Sequence, residues 1–110
     1  MQKFSLEALA RELLERAASA GGHRAAETVV GGHELAMRQT VIALCRDVAL
    51  GEHESPEQAT VYVLRGRVRM TAGEDSWEGR AGDLLVVPNA RHNLVAVEDC
   101  AVLLTVLKTH

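Results

Sequence analysis

The chain has 110 residues, of which 47% are hydrophobic and 25% are charged, and its formal net charge at pH 7 is −3. These values are typical of a single globular domain of ordinary size. The acidic balance argues against a general binder of nucleic acid or anionic membranes, which needs a basic surface. No apolar run is long enough to cross a bilayer, and the first residues lack a signal-peptide core. We therefore expect a cytoplasmic protein without a nucleic-acid or membrane partner.

The first segment of the chain has helical periodicity. Its apolar residues recur at steps of three and four residues, with charged residues between them: Leu6, Leu9, Leu13, Leu14 and Ala17. Ser5 is suited to cap the start of this helix, and Gly21 and Gly22 are suited to end it. The polar face carries both charge signs, unlike that of a membrane-surface helix. We predict an amphipathic helix and linker over residues 1–22, covering part of the domain or a partner subunit.

The remainder of the chain, residues 23–110, has the pattern of a β domain. Seven segments rich in Val, Leu and Thr are separated by turn residues: 24–30, 35–45, 59–65, 67–71, 84–87, 92–97 and 101–107. Many short strands with frequent turns predict a sandwich or barrel, not alternating strands and helices. In the third segment Ala59, Val61 and Val63 share one face, as expected of a strand with one buried side.

Three side chains outside any motif are expected to be structural. Cys45 and Cys100 lie in apolar, strand-like segments and form neither a C-x-x-C pair nor a zinc-binding spacing with histidine. We interpret them as reduced, buried thiols of a cytoplasmic protein. Trp77 is the single tryptophan in a chain with 3% aromatic residues. Packing is therefore its expected role, because a stacking platform for bases or sugars needs several aromatic rings.

Two spaced patterns begin at residues 47 and 82. The first has the spacing G-x5-H-x-H-x3,4-E-x6-G, and its positions hold Asp47, His53, Ser55, Ala59 and Gly66. The second has the spacing G-x5-P-x-G-x2-H-x3-N, with one residue missing before the histidine, and its positions hold Gly82, Pro88, Ala90, His92 and Ala96. These patterns resemble the two motifs of the cupins. The resemblance implies an all-β fold, a small antiparallel cupin barrel (a jelly-roll-like double-stranded β-helix), with one N-terminal amphipathic α-helix.

The resemblance also implies where a metal would lie. Cupin metal sites use three histidines and a carboxylate inside the barrel, and here only His53 and His92 remain in those positions. Ser55 replaces the second histidine, and Ala59 replaces the glutamate. Two protein ligands rarely suffice for a stable site, so no cofactor and no tightly bound transition metal is expected. Asp47 replaces a glycine, which aspartate tolerates because it can adopt left-handed backbone geometry.

The first functional hypothesis is a binding module rather than an enzyme. Its barrel would hold a small molecule or an anion through His53, His92, Ser55 and Arg38. A strand arginine such as Arg38 usually points outward, but an inward guanidinium would pair a carboxylate through both arms. The resemblance implies that His53 and His92 lie close together on facing strands.

Two alternatives remain open. The second hypothesis is a metal-dependent cupin enzyme of the dioxygenase or isomerase type, in which Glu57 or Gln58 completes a divalent-metal site with the two histidines. The third is a structural or accessory domain whose barrel is filled, because small aliphatic residues suit a core and a cavity equally well. The resemblance further implies a homodimer, and the apolar strand 101–107 would gain cover from it.

Overall fold

Eight strands and one helix form the part of the chain that this computed structural model describes, residues 2–52 and 58–108. The helix α1 (Leu6–Ser19) precedes all the strands. The strands in chain order are β1 (Arg24–Val30), β2 (Met37–Leu44), β3 (Gln58–Arg65), β4 (Arg67–Ala72), β5 (Asp75–Arg80), β6 (Leu84–Val86), β7 (Asn93–Ala96) and β8 (Cys100–Leu107). The predicted class, an antiparallel β fold with one N-terminal helix, is confirmed. Neither described range contains a helix long and apolar enough to cross a bilayer.

The strands form two antiparallel sheets. The larger has the order β1-β2-β8-β3-β6, and the smaller has the order β5-β4-β7. Residues 47–50 extend the smaller sheet beyond β7, because Asp47 N–H donates to the Ala96 carbonyl at 2.8 Å and Leu50 N–H donates to the Leu94 carbonyl at 2.9 Å. The extended smaller sheet thus has β5 at one edge and residues 47–50 at the other.

The inner faces of the two sheets enclose the main core. Its fully or almost fully buried members come from both sheets: Ile42, Leu44, Val61, Val63, Val68, Met70, Leu94, Ala96, Cys100 and Val102. The predicted alternation of the third segment is confirmed, since Val61 and Val63 are buried between exposed or half-buried neighbours. Each strand that carries one of these residues directs every second side chain inward.

Helix α1 packs on the outer face of the larger sheet and forms a second core. This core contains the helix residues Leu9, Leu13 and Ala17 together with Val41 and Ala43 of β2. The predicted cap is confirmed, because Ser5 Oγ accepts a hydrogen bond from Ala8 N–H at 3.2 Å. The apolar stripe of the helix therefore covers sheet residues that would otherwise be exposed to water.

Strand β5 and the tryptophan it carries differ from the sequence prediction. The sequence analysis predicts no strand between the segments 67–71 and 84–87, yet Asp75–Arg80 pairs with β4 along its whole length. The segment is polar, and Gly79 is its only buried residue, so it carries no alternation to detect. Trp77, for which the sequence analysis expects a packing role, is 45% exposed and does not belong to the core.

Tight turns join the strands where the motifs place glycine or its substitute. Gly66 and Gly82 have φ angles of 77° and 96°, and Asp47, in the first glycine position, has φ 70°. The prediction that aspartate adopts left-handed geometry at this position is confirmed. A short polar side chain tolerates this region better than a branched one.

Candidate functional site

A small cavity lies between the two sheets. Its volume is about 60 Å³, which leaves room for only a few heavy atoms or water molecules. His92 is the one polar side chain among the described residues that line it: Leu50, Ala59, Val61, Met70, Val87, His92, Leu94, Leu104 and Val106. Among the described residues, the site therefore combines an apolar wall with one group able to form hydrogen bonds.

His92 is held in a defined orientation. The residue directly precedes β7 and is 5% exposed. Its Nδ1 lies 2.7 Å from the carbonyl oxygen of Ala90. Because a carbonyl can only accept, Nδ1 carries the proton, and the lone pair of the neutral ring is on Nε2. This is the tautomer in which histidine accepts a hydrogen bond or binds a metal through Nε2.

Two contacts join the loop that carries His92 to Gly51 and Glu52, the residues directly before the histidine position of the first motif. Gly51 N–H donates to Asn93 Oδ1 at 2.9 Å. Arg91 Nε lies 2.9 Å from Glu52 Oε2 in an exposed ion pair, which contributes at most about 1 kcal/mol. These contacts place the residues before position 53 beside the loop that carries the second-motif histidine.

Three of the predicted site residues, His53, Ser55 and Glu57, lie outside the described residues. The closeness of His53 to His92 therefore remains a prediction. Ala59, which holds the position of the cupin glutamate, lines the cavity with His92. The glutamate position of the first motif and the histidine position of the second motif therefore lie at one site.

The structure does not bring Gln58 and Arg38 to the cavity. Gln58 is exposed on the face of β3 opposite to Ala59 and Val61, so its side chain lies on the outside of the sheet. Arg38 is exposed near the start of β2. It is in phase with Ile42, whose side chain enters the core, so it lies on the inner face of that strand but beyond the buried part.

The described residues do not supply a metal site by themselves. In residues 2–52 and 58–108, no group of three His, Cys, Asp or Glu side chains is placed to hold a metal ion. His92 has the orientation of a metal ligand, but Ala59 has no donor atom to offer beside it. A metal at this cavity would therefore need ligands from outside the described residues, and the sequence offers His53 and Glu57 as candidates.

The motifs do not identify the apolar wall of the cavity. Leu50, Leu104 and Val106 are half-buried and line it, although none occupies a motif position. The alternation of β8 could have indicated Leu104 and Val106, because both are in phase with the buried Val102. Leu50 has no comparable signal, since its place depends on pairing between residues distant in sequence.

Cys100 is expected to be chemically inert. Burial raises the pKa of its thiol from an ordinary value of 9.0 to about 11, whereas Cys45 is only half-buried. At pH 8 we expect iodoacetamide to modify Cys45 in the folded protein and to reach Cys100 only after unfolding, since the thiolate is the nucleophile. Because this pKa is higher in the folded than in the unfolded chain, the contribution of the buried thiol to stability is fully present below pH 9. It is lost as the pH rises through about 11. Mass spectrometry of peptides after timed alkylation measures both rates, and faster modification of Cys100 would contradict its burial.

Solved structures with the same architecture define the class of this domain. No family model matches the chain, and no curated protein matches its sequence. A cupin 2 conserved barrel domain protein from Salinispora arenicola has a TM-score of 0.72 at 18% identity, with 99% of this chain and 90% of that one covered. A cupin superfamily protein from Desulfitobacterium hafniense has a TM-score of 0.71 at 14% identity, with 78% of each chain covered. The chain thus has the fold of a small cupin domain.

One similar structure has a higher sequence identity. A conserved protein of unknown function from Streptococcus pyogenes is 28% identical to this chain, and its TM-score is 0.73. The alignment covers 83% of this chain and 79% of that one. The likeness extends over most of both domains, but the fold alone does not define a function, so the site must be argued from its own residues.

Proposed function

We propose that this protein is a small-molecule binding module, in which the barrel cavity takes a mainly apolar end group and His92 makes the polar contact. The observation that carries the proposal is one oriented histidine in a cavity whose other described lining residues are apolar. Ligand sites are typically apolar, with a few fixed polar groups that set orientation. A cavity of about 60 Å³ takes only part of a drug-sized ligand, so the group bound there is small.

We expect no metal to be tightly bound in this cavity. Ala59 in the glutamate position supports it, since the side chain offers no ligand. A metal-dependent enzyme remains the second candidate, because the hydrogen bond from His92 Nδ1 to a backbone carbonyl is also the usual arrangement of a metal-bound histidine.

The cavity is tested with a small alcohol as the probe. We expect isobutanol to shift the methyl NMR signals of Val61, Met70 and Leu94, which line the cavity. Ala59→Val should fill part of the space and weaken the binding while leaving stability unchanged or slightly higher. His92→Gln should weaken binding by about fivefold to tenfold through loss of one oriented hydrogen bond.

Two outcomes would contradict the binding function. One is that isobutanol shifts none of these methyl signals, which would favour a filled barrel. The other is that His92→Gln lowers stability but leaves the affinity unchanged, which is the behaviour of a core histidine. Val95→Ala, on the outer face of β7, serves as a matched control and should not alter the probe affinity.

We also propose a homodimer formed through the outer face of β3 and β6 and the end of β8. Four apolar residues are exposed on this outer patch: Tyr62, Leu84, Val86 and Leu107. Tyr62 lies opposite Leu84 in the strand register, and Leu84 and Val86 are 59% and 76% exposed. Helix α1 covers a different part of the same face, so a second copy of the chain would remove this patch from water.

Sedimentation equilibrium tests the dimer directly. We expect the natural protein to sediment as a dimer and Val86→Glu to sediment as a monomer, because a buried unpaired carboxylate opposes association. Ser76→Glu, on the exposed strand β5, should leave the dimer intact. A monomer at high concentration of the natural protein would contradict the proposal.

A further inference from the structure

A second, larger concavity opens at the side of the sandwich. It lies between strand β1 and residues 49–50 and has a volume of about 490 Å³. We call it the lateral cleft and define it by its lining residues, Arg24, Ala25, Ala26, Ile42, Leu50 and Leu104. Two edge segments border it. Strand β1 forms one edge of the larger sheet, and residues 47–50 form one edge of the extended smaller sheet.

Arg24 is the one charged side chain among the described residues that line this cleft. It is in phase with Ala26 on β1, and its Nη1 donates to the carbonyl of Ala49 at 3.5 Å. The side chain therefore reaches across the cleft from one sheet edge to the other. A guanidinium has five N–H donors, so this single long hydrogen bond leaves most of its capacity to other acceptors.

No carboxylate balances Arg24 within the described residues. The ion pairs there join Arg16 to Glu27, Arg69 to Glu78 and Arg91 to Glu52. Glu27 and Arg24 lie on opposite faces of β1. Glu27 faces helix α1, where it forms an ion pair with Arg16. Among the described residues, the cleft thus presents one cation without a carboxylate partner above an aliphatic floor of Ile42, Leu50 and Leu104.

The lateral cleft and the His92 cavity are neighbours but distinct. Leu50 and Leu104 line both of them, so the two hollows are adjacent. His92 is not among the residues of the cleft, and Arg24 is not among those of the cavity. A ligand in the cleft is therefore recognised by different chemistry from a group in the cavity.

We propose that the lateral cleft is a second binding site, specific for a small organic anion that joins a carboxylate to a short aliphatic chain. Arg24 pairs the carboxylate through its planar fork. The aliphatic chain lies against Ile42, Leu50 and Leu104 and removes their exposed surface from water. Neither a free inorganic anion nor an uncharged hydrocarbon uses both features of the cleft.

Hexanoate and 1-hexanol are matched probes for this site, because they share a chain and differ in charge. We expect hexanoate to bind about tenfold more tightly than hexanol at low salt, through the charge-assisted hydrogen bonds of Arg24. The preference should shrink as sodium chloride screens the exposed pair. Two-dimensional amide NMR should place the shifts at Ala26, Ile42 and Leu104.

Three variants separate the roles of charge and shape. Arg24→Gln should remove the preference for hexanoate over hexanol. Arg11→Gln, which removes an exposed cation from helix α1, is the control and should keep the preference. Ala26→Leu should narrow the cleft and weaken both probes, and it tests the site even if the Arg24 variant fails to fold.

Several results would contradict binding of an organic anion at the lateral cleft. They are equal affinities for the two probes, an unchanged preference in Arg24→Gln, or no binding of either probe. Shifts confined to Met70 and Leu94 would place the probe in the His92 cavity and would also overturn it. The proposal does not depend on the function proposed for that cavity, since His92→Gln should leave hexanoate binding intact even if isobutanol does not bind.

Discussion

Replacing Gly66 with alanine should cost about 3–5 kcal/mol of unfolding free energy, through overpacking and an unfavourable φ angle. Gly66 has a φ of 77°, and a Cβ placed on it would lie 2.1 Å from the carbonyl oxygen of Asp99 and 2.9 Å from Cα of Cys100. These are backbone atoms at the start of β8, which is paired on both sides. They cannot move away without disturbing the centre of the larger sheet.

Gly73→Ala is the matched control for this prediction. Gly73 also has a positive φ, 60°, but a Cβ added there would meet no heavy atom within 4 Å. Gly73→Ala should therefore lower the unfolding free energy only by the cost of left-handed backbone geometry, about 1–2 kcal/mol. Urea unfolding of both variants measures the difference, and equal losses would show that the close approach at Gly66 carries no energetic weight.

Leu13→Ala has the second large expected effect, a loss of about 3 kcal/mol. Its side chain is 0% exposed and packs with Val41 and Ala43 in the core beneath helix α1. Alanine would leave a cavity between the helix and the sheet, and neither element can close it by a small shift, because β2 is paired on both sides. Thermal and urea unfolding should both show one cooperative transition at lower stability.

Glu12→Ala is the neighbouring control on the exposed face of the same helix. It should change stability by less than about 0.5 kcal/mol. If Leu13→Ala were equally mild, or if the helix melted in a separate transition, α1 would be an appendage instead of part of the fold. The sequence division into residues 1–22 and 23–110 leaves this question open, and the variant pair decides it.

Most of the fold could be predicted from local patterns. The helix shows its period through Leu6, Leu9 and Leu13, and β3 shows its alternation through Val61 and Val63, because one face of each is buried. Strand β5 could not be predicted in this way. It has a single buried residue, and its strand geometry depends on hydrogen bonds to β4, which no local pattern records.

The candidate site could be predicted only in part. The motif spacing aligns Ala59 and His92 with two positions of one cupin site, and both residues line the same cavity. Gln58 shows the limit of prediction from motif spacing. Because it is next to Ala59 in sequence, its side chain lies on the opposite face of the strand. Arg24 and Leu50 belong to no motif, and they meet across the lateral cleft only through the pairing of distant segments.

The metal content of the purified protein tests the central claim most directly. The barrel cavity is proposed to bind a small molecule through His92 without a resident metal, because Ser55 and Ala59 hold two of the four ligand positions. Elemental analysis of protein purified without an affinity tag should find zinc, iron, manganese and nickel each below about 0.1 equivalents per chain, since two protein ligands do not retain a metal. Close to one equivalent of any of them would contradict the claim and would favour the metal-dependent enzyme, with His53, His92 and Glu57 as the candidate ligands.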